Sequence, residues 1–170
     1  MEIRKARIDD IEAVERIYNK ILDTANNTGW IRGVYPTKQT AEDALAADEL
    51  FVMEKDGEIV AAAKINSEEV KEYELADWKF ADAPKDEMMV LHTLVVSPDC
   101  GGQGLGTIFV KFYEDYAKEN SCSFLRMDTN KNNTAARTLY KKLGYAEVGI
   151  VPCNFNGIDD VELVCLEKKI

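Results

Sequence analysis

The sequence predicts one α/β domain on a mixed β-sheet, and three observations carry that expectation. Strand-like runs and helical periodicity follow one another along the whole chain, in the order β-α-α-β-β-β-α-β-α-β-β. Asp56-Gly57 joins two β-prone runs in the strongest short hairpin signal a sequence offers. An almost wholly apolar run ending at Val96 meets a glycine-rich turn, and an amphipathic helix follows it.

Each element has its reason. Residues 3–8 alternate as a short strand, and Asp9-Asp10 then caps a helix over about 10–24, whose apolar face is Ile11, Val14, Ile17, Tyr18, Ile21 and Leu22. Asn26-Asn27-Thr28-Gly29 breaks that helix, a connection carries Trp30 and Tyr35, and Thr37 opens a second helix to about Ala47. Residues 50–54 and 58–65 are the hairpin strands. Residues 66–86 are acidic and irregular, with Tyr73, Trp78 and Phe80 among charges, which reads as a functional or covering loop. Residues 87–96 form a strand, and the helix after the glycine turn packs Ile108, Phe109, Phe112, Tyr113 and Tyr116 inward. Residues 123–128 give the next strand, Asn132 or Asn133 caps a helix to Leu143, and Gly144 closes it. The last two strands are expected at 145–151 and 161–168, joined by a loop holding Cys153, Phe155 and Gly157.

Composition narrows the class. The 170 residues match one domain, with no repeat or linker-like boundary. With 46% apolar and 31% charged residues, disordered, collagen-like and disulfide-scaffold proteins drop out. The 21 Lys and Arg against 31 Asp and Glu give a net charge of −10 without any basic cluster, which argues against broad nucleic-acid or anionic-membrane binding. A cationic partner such as an amine is the easier one to accept. Cys100, Cys122, Cys153, Cys165 and the single His92 lack paired ligand spacing, so no metal is expected. No apolar run reaches membrane-spanning length, and a cytoplasmic, thiol-reduced protein is the expectation.

The chemistry concentrates in Pro98-Asp99-Cys100-Gly101-Gly102-Gln103-Gly104-Leu105-Gly106-Thr107. Glycines between a buried strand and a helix let several N–H groups converge on an anion at the positive end of a helix dipole. A P-loop would need Gly-Lys-Ser/Thr, and the lysine is missing. A dinucleotide fingerprint needs G-x-G-x-x-G, and Gly102, Gly104 and Gly106 have the wrong last spacing. A plain connecting turn is the remaining reading of the glycines alone.

The second half decides between them. Leu94 through Gly106, together with Asn133-Thr134-Ala135-Ala136-Arg137-Thr138-Leu139-Tyr140-Lys141-Lys142-Leu143-Gly144-Tyr145, resembles the two acetyl-CoA signature segments of the GNAT superfamily of N-acetyltransferases. The second segment matches N-x-x-A-x-x-L-Y-x-K-x-G-[FY] at every fixed position. The first departs once, with Gly101 where the family has Arg or Gln, and Gln103 is the residue at hand to compensate.

The resemblance implies a GNAT-like, mostly antiparallel sheet with splayed central strands, acetyl-CoA as co-substrate and direct transfer to a primary amine of a small molecule or peptide. It implies that Leu94, Val95 and Val96 offer backbone groups to pantetheine, and that residues 101–107 hold the diphosphate with help from Asn133. It assigns the oxyanion N–H to Val95, and to Tyr140 the proton for the departing thiolate. Among candidates to take the amine proton, His92 titrates nearest neutrality and, by strand alternation, shares the face of Leu94 and Val96. Glu87 and a water chain stand beside it, and a hydrogen-bonded core histidine is the plainer role. Glu87 and the loop aromatics Trp30, Tyr35, Tyr73, Trp78, Phe80 and Phe155 are assigned to the acceptor side. Cys100 has no histidine near it in sequence to activate it as a nucleophile. A non-catalytic acyl-CoA-binding domain and a transferase of longer acyl groups are the alternatives, and the oligomeric expectation is a monomer or a homodimer.

Overall fold

The computed structural model describes residues 1–24 and 27–170, so the helix break expected at Asn26 lies outside the described residues. Seven strands, β1 (Glu2–Lys5), β2 (Leu50–Lys55), β3 (Glu58–Asn66), β4 (Met88–Val96), β5 (Phe124–Asn130), β6 (Ala146–Phe155) and β7 (Ile158–Lys169), form one sheet in the order β1-β2-β3-β4-β5-β7-β6. Every neighbouring pair is antiparallel except β4 and β5. The helices are α1 (Ile11–Asp23), α2 (Lys38–Ala46), α3 (Leu105–Glu119) and α4 (Thr134–Lys142). This is the mixed, mostly antiparallel architecture expected.

The differences have local causes. The first strand ends at Lys5, because Asp10 accepts from the Arg7 N–H and from Arg4, winding Ile8–Asp10 into a 3-10 turn. The last two strands are longer than their apolar runs, and the loop expected between them is a tight turn at Asn156-Gly157 with φ of 51° and 86°. Asn-Gly favours that turn as Asp56-Gly57 does in the β2–β3 hairpin. Residues 66–87 carry two 3-10 turns, Lys71–Leu75 and Lys85–Glu87.

The sheet's two faces are covered differently. On one, α3 and α4 bury a continuous core that includes Leu91, Phe109, Tyr113, Leu125, Met127 and Leu166. On the other, α1 and α2 bury Val14, Tyr18, Ala41, Val52 and Val95 over the early strands. Tyr73 and Trp78, from the 66–87 segment, cover Val90, Val161, Leu163 and Cys165 over the late strands. Burying a side chain of this kind contributes about 1.5–3 kcal/mol, so each patch stabilises its own covering element. Between these two patches the sheet is left open, and a pocket forms there.

Two further features shape that opening. The parallel ladder of β4 and β5 runs only from Met88↔Phe124 to Leu91↔Met127, after which the strands part. At the same point a bulge sets Thr93 and Leu94 of β4 against the single Ala63 of β3, and Thr93 adopts φ of +52°. A β-branched residue in that region is held under roughly 1–3 kcal/mol of local strain.

Candidate active site

Where β4 and β5 part, a cleft of about 360 Å³ opens toward α3 and α4, lined by Leu94, Val96, Gly106, Asn133, Leu139 and Tyr140 among others. Its β4 wall is backbone. The Ser97 N–H donates to the Val60 carbonyl at 2.8 Å, and the register pairs Val95 with Ala62 two residues earlier. Residues 95 and 97 therefore turn their backbone groups toward β3, which leaves those of Leu94 and Val96 on the open edge. This corrects the assignment of the oxyanion N–H to Val95. Leu94 carries the N–H that faces the cleft, and the Val95 side chain is buried under α1 and α2.

The glycine turn lies at the end of this wall. Gly102 and Gly104 take φ of +75° and +72°, and a Cβ on either would meet only open space, so they are required for backbone conformation and leave room above the loop. The first helical hydrogen bond of α3 runs from the Ile108 N–H to the Gly104 carbonyl, leaving the N–H groups of Leu105, Gly106 and Thr107 outside the helix ladder. Gly106 is needed for another reason: a Cβ there would come within 3.1 Å of Leu139. The Leu105 side chain is core, so its backbone alone is available. Gly101 presents no side chain, and Gln103 is tied by its Oε1 to Lys55 Nζ at 2.7 Å. Asn133 caps α4 by accepting from the Ala136 N–H at 3.2 Å while lining the cleft, and burial raises the pKa of Tyr140 well above the ordinary phenol value. A glycine cradle, a helix N-terminus and an unpaired strand edge fit an anionic cofactor with a strand-like amide arm.

A second pocket, about 490 Å³, occupies the open patch on the α1–α2 face. Tyr18, Tyr35, Asp43, Lys64, Glu68 and His92 are in its wall. The bulge decides which face His92 takes. The extra residue reverses the alternation, so Leu94 and Val96 pack with Leu91 toward α3 while His92 points into the second pocket. The expectation that His92 shares their face is therefore corrected. Its Nε2 lies 2.9 Å from Asn66 Oδ1 and 3.1 Å from the Glu68 carbonyl. Asn66 donates its own amide N–H to Glu49, so both neighbours of Nε2 are acceptors and the ring proton sits there. Burial and the nearby Lys64 lower the His92 pKa to about 4.

The two cavities meet at Thr93, Asp128 and Phe155, which line both. Asp128 continues the row of Lys64 and His92 across three adjacent strands, at the first position where β5 has left β4. Burial raises its pKa to about 6, opposed by a hydrogen bond from the Tyr73 hydroxyl at 2.8 Å. Trp30, Tyr35 and Phe155 gather there as well, Tyr35 edge-on to Trp30 at 6.0 Å and to Phe155 at 5.1 Å, with its hydroxyl bonded to Thr93. Glu87 lines neither cavity: it ends the 3-10 turn before β4, roughly 16 Å along the chain from His92. Neither Asp128 nor Thr93 was assigned to the transfer chemistry from sequence, and Tyr73, Trp78 and Phe80, expected among the acceptor-side aromatics, line neither cavity. The available signal for Asp128 was a lone carboxylate inside an apolar strand. Among the described residues no group of three or more His, Cys, Asp and Glu is arranged to hold a metal ion.

Comparison with known proteins agrees with this geometry. A family model described as the acetyltransferase (GNAT) family matches residues 13–145. An uncharacterized N-acetyltransferase of Methanocaldococcus jannaschii is 24% identical over 169 residues, covering 99% of this chain and 92% of its own. A GNAT-family acetyltransferase structure from Streptococcus agalactiae superposes with a TM-score of 0.81 at 22% identity, covering 99% and 95% of the two chains. A Salmonella typhimurium protein, yncA, named as an acetyltransferase and solved with its cofactor acetyl-CoA, superposes with a TM-score of 0.69 at 22% identity, covering 99% and 93%.

Proposed function

Since the chain belongs to the GNAT family of acetyltransferases, we propose that it transfers an acetyl group from acetyl-CoA directly to a primary amine of a small molecule or peptide. The observation that carries this reading is the meeting of the two cavities at Asp128. Acetyl-CoA supplies the activated acetyl thioester. The Leu94 and Val96 edge would hold its amide arm, the 101–107 loop with Asn133 its phosphates, and the Leu94 N–H would donate to the acetyl oxygen as charge builds there.

The acceptor arrives mostly as an ammonium, whose ordinary pKa near 10.4 is well above those of Asp128 and His92. An ammonium has no lone pair, so it first loses one proton to solvent and the neutral amine attacks. As the new C–N bond draws electrons from nitrogen, a second proton becomes acidic enough for a carboxylate, so the base must already be in place beside it. Asp128 meets that requirement better than His92. It borders both cavities, and its pKa of about 6 exceeds the value of about 4 for the histidine. On this reading His92, with Nε2–H committed to Asn66 and Glu68, shapes the acceptor pocket. The Tyr140 hydroxyl protonates the departing thiolate.

The test is thiol release from acetyl-CoA with a panel of amines between pH 6 and 9, for the parent, Asp128→Asn and Tyr140→Phe. Turnover with some amine that collapses in both variants, while acetyl-CoA still binds, is the expected result. Saturable binding of acetyl-CoA with no amine acetylated at any pH would instead support a non-catalytic acyl-CoA-binding domain.

A further inference from the structure

We propose that Tyr73 is the positioning residue of the proton-accepting carboxylate: its hydroxyl holds Asp128 Oδ2 from behind and leaves Oδ1 to face the amine where the two cavities meet. The inference rests on the proposed role of Asp128, and it gives the 66–87 segment a function beyond covering the sheet.

The geometry separates Tyr73 from the reacting groups. It lines neither the cofactor cleft nor the acceptor pocket and borders instead a third depression, which Asp128 does not line. Its ring is 2% exposed, packed among Val90, Leu163 and Cys165. Among the described residues, the Tyr73 hydroxyl makes the sole hydrogen bond to the Asp128 side chain, at 2.8 Å.

The tyrosine is itself clamped. The Trp78 Nε1–H donates to its carbonyl at 2.7 Å, and the two rings pack with centroids 5.1 Å apart. Arg126, on the same face of β5 two residues before Asp128, lies over the Trp78 ring at 4.0 Å, pairs with Glu69 and donates to the Phe80 carbonyl at 3.0 Å. Arg126 and Asp128 thus bind one strap at two points. The first fixes where the strap lies, and the second uses that placement to orient a carboxylate.

The hydroxyl also governs when that carboxylate is ionised. Burial and the negative charge of Glu72 favour its neutral form, and the Tyr73 hydrogen bond favours the anion. The other groups around Asp128 are Cys165 on β7, Cys153 on β6, Tyr35, Tyr140 on α4, and His92 and Lys64 in the acceptor pocket. Burial drives the thiols and phenols upward and His92 down to about 4, and Lys64 is paired with Glu49. Asp128, at about 6, is the group around this junction whose ionisation falls inside the pH range of the assay.

The experiment is the pH profile of kcat/KM at saturating acetyl-CoA for the parent, Tyr73→Phe, Asp128→Asn and the double variant. Losing the hydroxyl should move the acid limb of Tyr73→Phe upward by about one pH unit, a loss of about fivefold at pH 6 that nearly vanishes by pH 8. Acetyl-CoA affinity should stay unchanged. In the Asp128→Asn background, Tyr73→Phe should have no further effect on the profile. A Tyr73→Phe limb coinciding with the parent's, or an equal further loss in the double variant, would overturn the positioning role. An acid limb surviving intact in Asp128→Asn would instead overturn the base assignment, so the two failures are distinct. Trp78→Phe removes the bond to the Tyr73 carbonyl and serves if Tyr73→Phe does not fold: a smaller shift in the same direction supports the role, and none overturns it.

Discussion

The cofactor cleft and the acceptor pocket touch at Thr93, Asp128 and Phe155, yet they are made of different material. The cleft is largely a backbone object: a freed strand edge, two glycines at positive φ and a helix N-terminus, all from residues 94–107, with α4 closing the far wall. The pocket is a side-chain object assembled from α1, α2, β3, β4, β5, the 66–87 segment and the β6–β7 turn. Backbone sites repeat from protein to protein because every chain has the same amides. Side-chain sites are free to change, which is how one cofactor-binding frame can present an acyl group to different acceptors.

The sharpest way to test that division is to alter the one carboxylate on the boundary. Asp128→Asn should lower kcat/KM by about 10²–10⁴, the usual contribution of general base catalysis, while the acetyl-CoA dissociation constant measured by calorimetry stays within about twofold. An acetyl-CoA affinity that fell along with the rate would mean that the two regions are a single site.

The same substitution has a thermodynamic consequence. The folded pKa of Asp128, about 6, lies above its ordinary 3.8, so the protonated group favours the folded state fully below pH 4, and that advantage is lost as pH rises through 6. At pH 8 the buried charge destabilises the fold by at most about 3 kcal/mol. Asp128→Asn should therefore raise the urea midpoint at pH 8 and leave it nearly unchanged at pH 4. Equal midpoints at pH 8 would show that the carboxylate is well solvated. The region made for chemistry would then carry no stability penalty, and the contrast with the backbone-built cleft would weaken.

On the cofactor side the expected effect is smaller and of another kind. Gly104→Ala places a Cβ in open space but on a residue with φ of +72°, so the disturbance comes from the backbone, at about 1 kcal/mol. Acetyl-CoA should bind about tenfold more weakly, with the amine KM and the acid limb unmoved. A displaced acid limb would show that loop geometry reaches the acceptor pocket.

The same contrast explains what could be read from the sequence. The cofactor wall was legible because conformation and residue type coincide there: Gly102 and Gly104 stand where φ must be positive, and Gly106 where α3 approaches Leu139. The orientation of β4 was not. Strand alternation put His92 with Leu94 and the resemblance assigned the oxyanion N–H to Val95; one extra residue at Thr93 reverses the first, while the β3 register corrects the second. No residue type marks that bulge, since threonine is a common strand residue and an uncommon one at positive φ. The place of Tyr73 was equally hidden. It was expected among the aromatics beside the acceptor, and its contact with Asp128, 55 positions away, is created by folding alone.

The smallest effect asks whether the cofactor region is backbone throughout. Gly101 removes the side chain that the resemblance leads one to expect beside the diphosphate, and Gln103 is bound to Lys55 across the β2–β3 turn. That places an ammonium near the loop on a surface of net charge −10, where a cation offsets general repulsion of a polyanionic ligand. The Lys55–Gln103 contact is exposed, so solvent and salt screen it, and Lys55→Met should weaken acetyl-CoA binding by only about threefold in dilute buffer. The difference should vanish near 1 M salt, where the screening length is about 3 Å. A loss beyond about thirtyfold that persists in salt would mean that Lys55 contacts the phosphates directly. A side chain from outside the 94–107 segment would then have taken over the missing function, and the cofactor cleft would belong, in part, with the pocket it was contrasted against.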